Sequence, residues 1–381
     1  MTDWLTNFNK RAIKRFNSMD WPSSSEEEWR RAKLDHLNLD ALVSEKAEPI
    51  NNSIHINGKP LQVYKDANVS IYPLPYAIEK NIHNIRGLLE NKLNNGLNRF
   101  EASHYSQLFS GVYLDCCLSM DNVHTVTLSG KNPHIYINVH EGAVATLVII
   151  LESFIEESLT NSVLEACLAG NSKLNLYLLH NFSNQSYHFH HSLVTLNQES
   201  YLDNCEVFLG GGFSKVKLVN DLISPNCEAN IRGAYFAQNR QHIDVRSEQR
   251  HLAPDSFSRS LFKGVVQDNA RTVYQGMIEV DETAKKTDAY LTNNNLILNN
   301  GARSDSIPSL KINTNDVRCS HGSTSGKINE NHIFYLMSRG LSEKEARFMI
   351  VQGFFMELFT DTPEEFREMA MALITEKLWS R

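Results

Sequence analysis

From about Gly111 to Asn315 the chain is written in short runs of Val, Ile, Leu, Tyr and Phe, each cut off by Gly, Asn or Ser. Runs of this length and make-up, bounded by residues that favour corners, predict β-strands. Four corners resemble one another. Glu141-Gly142-Ala143, Ala169-Gly170-Asn171, Gln198-Glu199-Ser200 and Asn226-Cys227-Glu228 each precede an apolar run, at a spacing of roughly 28 residues. A period of that length predicts stacked coils, because one coil of a parallel β-helix cannot bury its inward side chains until the next coil supplies hydrogen bonds and core. A β-sandwich is the competing arrangement, since its strands also alternate and end in similar turns.

The pattern changes on either side. Ser25-Glu26-Glu27-Glu28-Trp29-Arg30 has the acidic first turn of a helix start. Ile54-His55-Ile56-Asn57-Gly58-Lys59-Pro60-Leu61-Gln62-Val63 places alternating apolar residues around Asn-Gly, the pair that accepts the positive φ angles of a tight hairpin. Ile78 to Phe109 reads as helix, interrupted by Gly87 and Asn94-Asn95-Gly96. After Asn329, Ser342-Glu343-Lys344-Glu345 is a capping box and Thr362-Pro363-Glu364-Glu365 a second helix start. The helix opened at Ser342 carries Phe348, Met349, Ile350, Val351, Phe354, Phe355, Met356 and Leu358, too many for one narrow stripe. The surplus serves either a partner or packing between the chain's own core and its last helix. The resulting division is a helical region with a small hairpin over 1–110, a mainly β core over 111–325 and a second helical region over 326–381.

Composition narrows the function. The 381 residues carry a formal net charge of -7, without the dense basic patch of a nucleic-acid footprint. No apolar run approaches the about 18 residues a bilayer needs; the longest, Ala143 to Leu151, is half that. Met1 to Phe16 is weakly basic and amphipathic but lacks the apolar segment of a secretion signal, so it reads as an initial helix. Six cysteines, Cys116, Cys117, Cys167, Cys205, Cys227 and Cys319, lie in strand-like settings without disulfide spacing, which suits a reducing cytoplasm.

Conventional catalytic signatures are missing. Gly210-Gly211-Gly212 lacks the lysine and hydroxyl of a phosphate loop, and no Gly-x-Ser-x-Gly, His-Glu-x-x-His or Cys-x-x-Cys occurs. Two weaker constellations stand out. His188 and His190 share one face of a strand and could bind metal, or be ordinary surface or turn histidines. Asp203, Glu206 and Asp221 are the best carboxylates for a carbohydrate-active β-helix enzyme, though scattered. The polar cluster Asp316-Val317-Arg318-Cys319-Ser320-His321-Gly322 lies where strands give way to helix. Cys319 and His321, two apart on an extended chain, point the same way and offer two ligands for iron, half of a tetrahedral site. A buried Cys beside a structural His is the plainer alternative.

Several of these stretches resemble, in order, motifs of the SufB/SufD family of iron-sulfur cluster assembly proteins. They are His251-Leu252-Ala253-Pro254-Asp255-Ser256-Phe257-Ser258, Phe262-Lys263-Gly264, Tyr274-Gln275-Gly276-Met277-Ile278, Asn295-Leu296-Ile297-Leu298, Asp316 through Thr324, and Phe334-Tyr335-Leu336-Met337-Ser338-Arg339-Gly340, with Glu28-Trp29-Arg30 as an N-terminal motif. SufB relatives have a cluster-building cysteine where this chain reads Thr292-Asn293-Asn294-Asn295, and a glutamate at Gly322. Lacking both, and carrying Cys-Ser-His-Gly at Cys319 to Gly322, the chain looks like the SufD side of the family.

The resemblance implies a right-handed parallel β-helix flanked by helical ends, in a subunit with no catalysis of its own. It implies SufB as a partner along the last strands, with His321, and Cys319 as the weaker candidate, at a transient iron-sulfur cluster shared with SufB. It further implies the SufC ATPase as a partner of the C-terminal helices, for which Phe348, Val351, Phe354 and Phe355 are candidates. ATP enters only through SufC, and reduced flavin binds in the complex at residues not assignable from the sequence. An exposed edge leaves a homodimer open when SufB is absent, and the sequence does not decide between the two assemblies. A purely architectural subunit is the alternative in which His321 only packs.

Overall fold

The corner signals that repeat along the sequence are where the backbone turns left-handed. Gly142 (φ 69°), Asn171 (55°), Glu199 (55°), Asn226 (59°), Asp255 (55°) and Lys286 (60°) occupy one corner of successive coils. Such angles are costly for residues with a Cβ, and coil stacking compensates. The amide of Gly142 donates to the Gly170 carbonyl, that of Asn171 to Gln198, Glu199 to Pro225, Asp255 to Lys285 and Lys286 to Asp316. One residue further on from five of these corners, Ser172, Ser200, Cys227, Ser256 and Thr287 each point a hydroxyl or thiol at the carbonyl three residues back. Cys227 is thus a serine-like corner residue.

The computed structural model describes residues 3–32, 34, 37–44, 53–94 and 97–379. Its core is a parallel β-solenoid in which each coil gives one strand to each of two facing sheets. The first sheet holds β6 (His124–Ser129), β8 (Val144–Ser153), β10 (Lys173–Phe182), β12 (Tyr201–Leu209), β14 (Glu228–Ala237), β16 (Phe257–Val266), β18 (Thr287–Ile297) and β20 (Val317–Lys327). The second holds β5 (Ser110–Cys116), β7 (Pro133–Val139), β9 (Leu159–Leu168), β11 (Tyr187–Leu196), β13 (Phe213–Leu222), β15 (His242–His251), β17 (Arg271–Val280) and β19 (Arg303–Ile312). Inward residues such as Leu147, Leu176, Val216, Ile231, Val245 and Ile278 form one continuous apolar core. The sandwich alternative shares the two-layer core but not the pairing: here every strand bonds in parallel to the next but one, as in Lys173↔Tyr201 and Tyr187↔Phe213.

Helices cover both outer faces. Trp29, stacked on Phe100, and helices α1 (Asp3–Asn17), α3 (Leu74–Lys80), α4 (Ile85–Asn94) and α5 (Arg99–Ser106) lie on the second sheet. The family-like Glu28-Trp29 motif is an anchor: the Glu28 carbonyl accepts from Lys215 and Gln275, and its carboxylate meets Lys217 at 2.9 Å. The helix expected from Ser25 does not form; residues 24–32 are turns closed by local bonds such as the Arg30 amide to the Glu26 carbonyl, and the Glu28 carbonyl accepts from the solenoid instead of from a following helical amide. The short α2 (Leu39–Ser44) follows. The expected hairpin is present as β1 (Ser53–Ile56) and β2 (Lys59–Pro60), with Asn57 and Gly58 both at positive φ. The helix expected over Ile78 to Phe109 is broken into three by left-handed Asn81, His83 and Asn84 and by the stretch before the Asn98 cap; Asn95 and Gly96 lie outside the described residues.

At the far end α6 (Glu330–Met337), α7 (Glu343–Met356) and α8 (Glu364–Trp379) follow β20. Ser342 caps α7 through the expected box with Glu345.

Candidate functional site at the open end of the solenoid

The two ends of the solenoid are finished differently. At the N-terminal end the β1–β2 hairpin pairs antiparallel with β6, and β3 (Tyr64–Lys65) and β4 (Val69–Pro73) run antiparallel beside β5. Antiparallel strands stop coil addition there. At the other end β19 and β20 are the last strands of their sheets, each paired on one side only.

Register shows what this end presents. Leu310 and Ile312 stand next to the core residues Ile278 and Val280, and Cys319 and His321 next to Ala289 and Leu291. They therefore continue the inward rows of the solenoid with no further coil above them. Leu310 is 36% exposed and Ile312 37% for that reason. A repeat array left without a polar cap exposes the surface its next repeat would bury. The two sheets meet here through the Ser323 hydroxyl, 2.8 Å from that of Ser306.

His321 is exposed on the free edge strand, and Cys319 is half-buried against the core. Burial raises the Cys319 thiol above its ordinary pKa, so in the isolated chain it is a protonated thiol, and a metal or a cation from elsewhere is needed to make it a ligand. The pair offers two of the four ligands a tetrahedral iron takes. Behind it, Thr292-Asn293-Asn294-Asn295 builds a buried amide ladder. Asn293 donates to the Tyr235 hydroxyl, which donates to Asn295 at 2.6 Å, and Asn295 reaches Ser325 on the edge strand.

The C-terminal helices divide the four docking candidates. Val351 and Phe355 are fully buried, packed with Leu358, Phe359, Phe366 and Ile374 onto Val148, Tyr177, Val207 and Phe236 of the first sheet. Expected to face a partner, they instead serve the chain's own core, because α7 lies between the sheet and α8. Phe348 is half-buried beside Trp379, and Phe354 half-buried under the Lys263 ammonium, 4.8 Å from its ring centre. The apolar surface left outside is Phe334 (74% exposed), Tyr335 and Met337 on α6, with Met349 and Met356 on α7. The motif ending in Gly340 explains itself locally: Gly340 sits at φ 97° and ends α6, its amide donating to the Met337 carbonyl.

Two basic side chains missed in the sequence reading hold these helices. Lys263 donates to the Phe354 carbonyl at 2.9 Å and pairs with Glu357; Arg232 donates to the Leu358 carbonyl at 2.8 Å and pairs with Asp203. Lys263 thus meets a carbonyl in the last turn of α7 and Arg232 one in the turn that follows it, where helical carbonyls run out of amide partners and cations are favoured.

The remaining candidates are dispersed. His188 and His190 are not on the surface: they are buried inside the solenoid with His180, their ring centres 4.8–5.9 Å apart. Burial pushes His180 and His190 down to about 3, so all stay neutral. Ser162 contacts His188 and His190, Glu206 contacts His180, and His180 Nδ1 and His190 Nε2 have no partner. Asp203 faces outward to Arg232, Glu206 inward to His180, and Asp221 lies on the other sheet near Arg250. No carboxylate pair for glycoside chemistry forms from them. No helix is long and apolar enough to cross a membrane among the described residues.

Fold and site together define a β-solenoid with one finished end and one unfinished end whose last strand carries Cys319 and His321. The profile of the family described as SUF system FeS cluster assembly, SufBD core domain, matches residues 122–354, and the chain belongs to that family. The iron-sulfur cluster assembly protein SufD of Escherichia coli K12 is 32% identical over 248 residues, 64% of this chain and 58% of that protein. An iron-sulfur cluster assembly SufBD family protein of Mycobacterium leprae is 35% identical over 198 residues, 50% of each chain. The chain spans about half the length of the curated relatives it matches.

Proposed function

We propose that this chain is a SufD-type, non-catalytic subunit that completes an iron-sulfur assembly site only when a SufB chain docks on its open end. The single observation that carries the reading is the unfinished coil: an exposed imidazole on an edge strand whose neighbours, Leu310 and Ile312, still need covering. A SufB strand added to β20 would satisfy the free backbone groups of residues 317–327 and cover the inward row. His321, with Cys319 beside it, would then face donors from the partner, and the shared set would hold the nascent cluster as cargo. SufC docks on the C-terminal helices in this reading, and Phe334, Tyr335 and Met349 with the outer edge of Phe348 supply the contact surface, since Val351 and Phe355 are already enclosed.

The test is co-expression with SufB and SufC, followed by anaerobic cluster reconstitution of the purified complex. His321→Ala is expected to leave the fold of the chain unchanged, because the ring is exposed in the free subunit, and to leave complex formation intact, because strand addition to β20 uses backbone groups, while cluster formation falls about tenfold or more. Unimpaired cluster formation in that variant leaves the chain an architectural subunit. Failure to form any complex removes the docking reading altogether.

A further inference from the structure

A second group of metal-binding side chains lies at the opposite end of the molecule, on the outer face of the second sheet, and the function above makes no use of it. Asp115 is the last outward residue of β5 and lies opposite Asn138 of β7. Cys117 follows β5, His140 follows β7, and His83 reaches over from the turn between α3 and α4. Around the Asp115 carboxylate, His140 Nε2 is 2.8 Å and His83 Nδ1 3.2 Å from Oδ1, and Cys117 Sγ is 3.2 Å from Oδ2 and 3.9 Å from His140 Nε2. The His83, Asp115 and His140 donor atoms all fall within 4.8 Å of one another.

Three features set this group apart from an ordinary surface network. First, Asp115 is 4% exposed, yet no Lys or Arg lies within ion-pair distance of it among the described residues; its charged neighbours are the two imidazoles alone. A buried carboxylate without a permanent cation is costly, and a divalent ion is the natural complement. Second, His83 is held at φ 43°, between left-handed Asn81 and Asn84. Left-handed non-glycine residues cost of order 1–3 kcal/mol each and concentrate at functional sites. Third, the donors are already gathered: separations of 2.8, 3.2, 3.2 and 3.9 Å bracket the roughly 3.3–3.7 Å set by tetrahedral bonds of about 2.1 Å to nitrogen and 2.3 Å to sulfur, so side-chain shifts of a few tenths of an ångström would seat an ion. His83, His140 and Cys117 are accessible, so an ion can enter from solvent. The buried rings of His180, His188 and His190 form the other close donor group among the described residues, but they are sealed in the core, and Ser162 and Glu206 already engage a nitrogen of each.

We propose that His83, Asp115, Cys117 and His140 form a four-coordinate site for a divalent transition-metal ion of the zinc and iron(II) class. Two imidazoles, a carboxylate and a thiolate suit that class and not magnesium or calcium, which take oxygen ligands. The Asn138 side chain, 3.0 Å from Asp115 Oδ1, orients the carboxylate; the Tyr113 hydroxyl, 3.0 Å from His83 Nδ1, gives up that contact when the nitrogen takes an ion. Binding forms four metal–ligand bonds and releases the Cys117 thiol proton to solvent; no oxidation or reduction accompanies it.

The experiment uses the full-length chain, stripped of metal with a chelator and titrated anaerobically with Co2+ under a phosphine reductant. Saturation at one equivalent is expected, with visible bands of tetrahedral intensity and a near-ultraviolet thiolate-to-cobalt band. Cys117→Ser should remove the thiolate band and weaken binding by more than the about 10- to 100-fold that loss of an outer-shell partner costs, and His140→Ala should abolish one-equivalent binding, both with unchanged circular dichroism. Competition with Zn2+ and with Fe2+ then identifies which ion of the class is preferred. The double variant Cys319→Ser/His321→Ala should leave the titration unaltered, so this result stands or falls independently of the open-end site. Absence of a saturable one-equivalent site, indifference to Cys117→Ser and His140→Ala, or a thiolate band that disappears with Cys319 instead each overturns the assignment.

Discussion

Replacing Lys263 with methionine keeps the aliphatic stem and removes the ammonium that pins α7 to β16. In the folded chain that group donates to the Phe354 carbonyl at 2.9 Å, pairs with the exposed Glu357 carboxylate and lies over the Phe354 ring. A charge-assisted hydrogen bond contributes about 1.5–3 kcal/mol and a partly desolvated cation over a ring about 1 kcal/mol more. The Glu357 pair adds little because that side chain is 65% exposed. Part of the sum is offset because methionine need not be desolvated, leaving a net loss of about 2 kcal/mol. The loss is local: the solenoid core does not touch this bond, so opening of α7 and α8 becomes about 30-fold more frequent. Hydrogen exchange read by mass spectrometry should show faster exchange across residues 343–379, with the strands of β8 to β17 unchanged. Protection of α7 identical to the parent chain refutes the capping role, and acceleration spread evenly over the solenoid refutes its locality.

Gly264→Ala should lower the melting temperature by about 2–8 °C, because its Cβ would stand 2.0 Å from the Tyr235 ring and 2.5 Å from Asn295 Oδ1; Gly326→Ala, with nothing within 4 Å, is the control and should shift it little. Acid should weaken the fold from the histidines upward. Desolvation pushes His104, His134, His180 and His190 from 6.5 down to about 3 and His251 down to about 4. Below pH 6.5 the unfolded chain takes up protons at these rings that the folded chain does not, so stability is complete above that pH and falls as the pH drops toward 3. Urea midpoints should therefore decline steadily from pH 7 to pH 4.5, and a flat series refutes the neutral buried assignments.

The solenoid was legible in the sequence because its repeat is a backbone requirement. Gly142, Asn171, Glu199 and Asn226, which mark the repeating corners, are the positions of positive φ, so the period was read from the residues that enforce it. The terminal helix starts were legible for a similar reason, since a capping box is local chemistry. Partner-facing surface was not. An apolar helix shows how much it must bury and not against what, and Val351 and Phe355 turned inward once α8 and the first sheet claimed two sides of α7. The His83, Asp115, Cys117 and His140 group had no signal at all, since its members come from three separate segments and meet only through coil stacking. His188 and His190 were placed on one face correctly, but a period of two does not say which face is the inside.

The charge pattern of the last strands bears on which partner the open end accepts. β19 carries Pro308 in mid-strand, and proline cannot supply a donor to a new ladder, which blunts that edge. β20 has no proline, so of the two free edges it is the one suited to strand addition. Its charged residues are Arg318 and Lys327, with no carboxylate anywhere from Val317 to Lys327. Two copies of the chain joined edge to edge through β20 would bring no carboxylate to the seam to pair with Arg318 or Lys327. A different strand bearing aspartate or glutamate would meet the same edge with complementary charge and leave His321 facing acidic or thiolate donors.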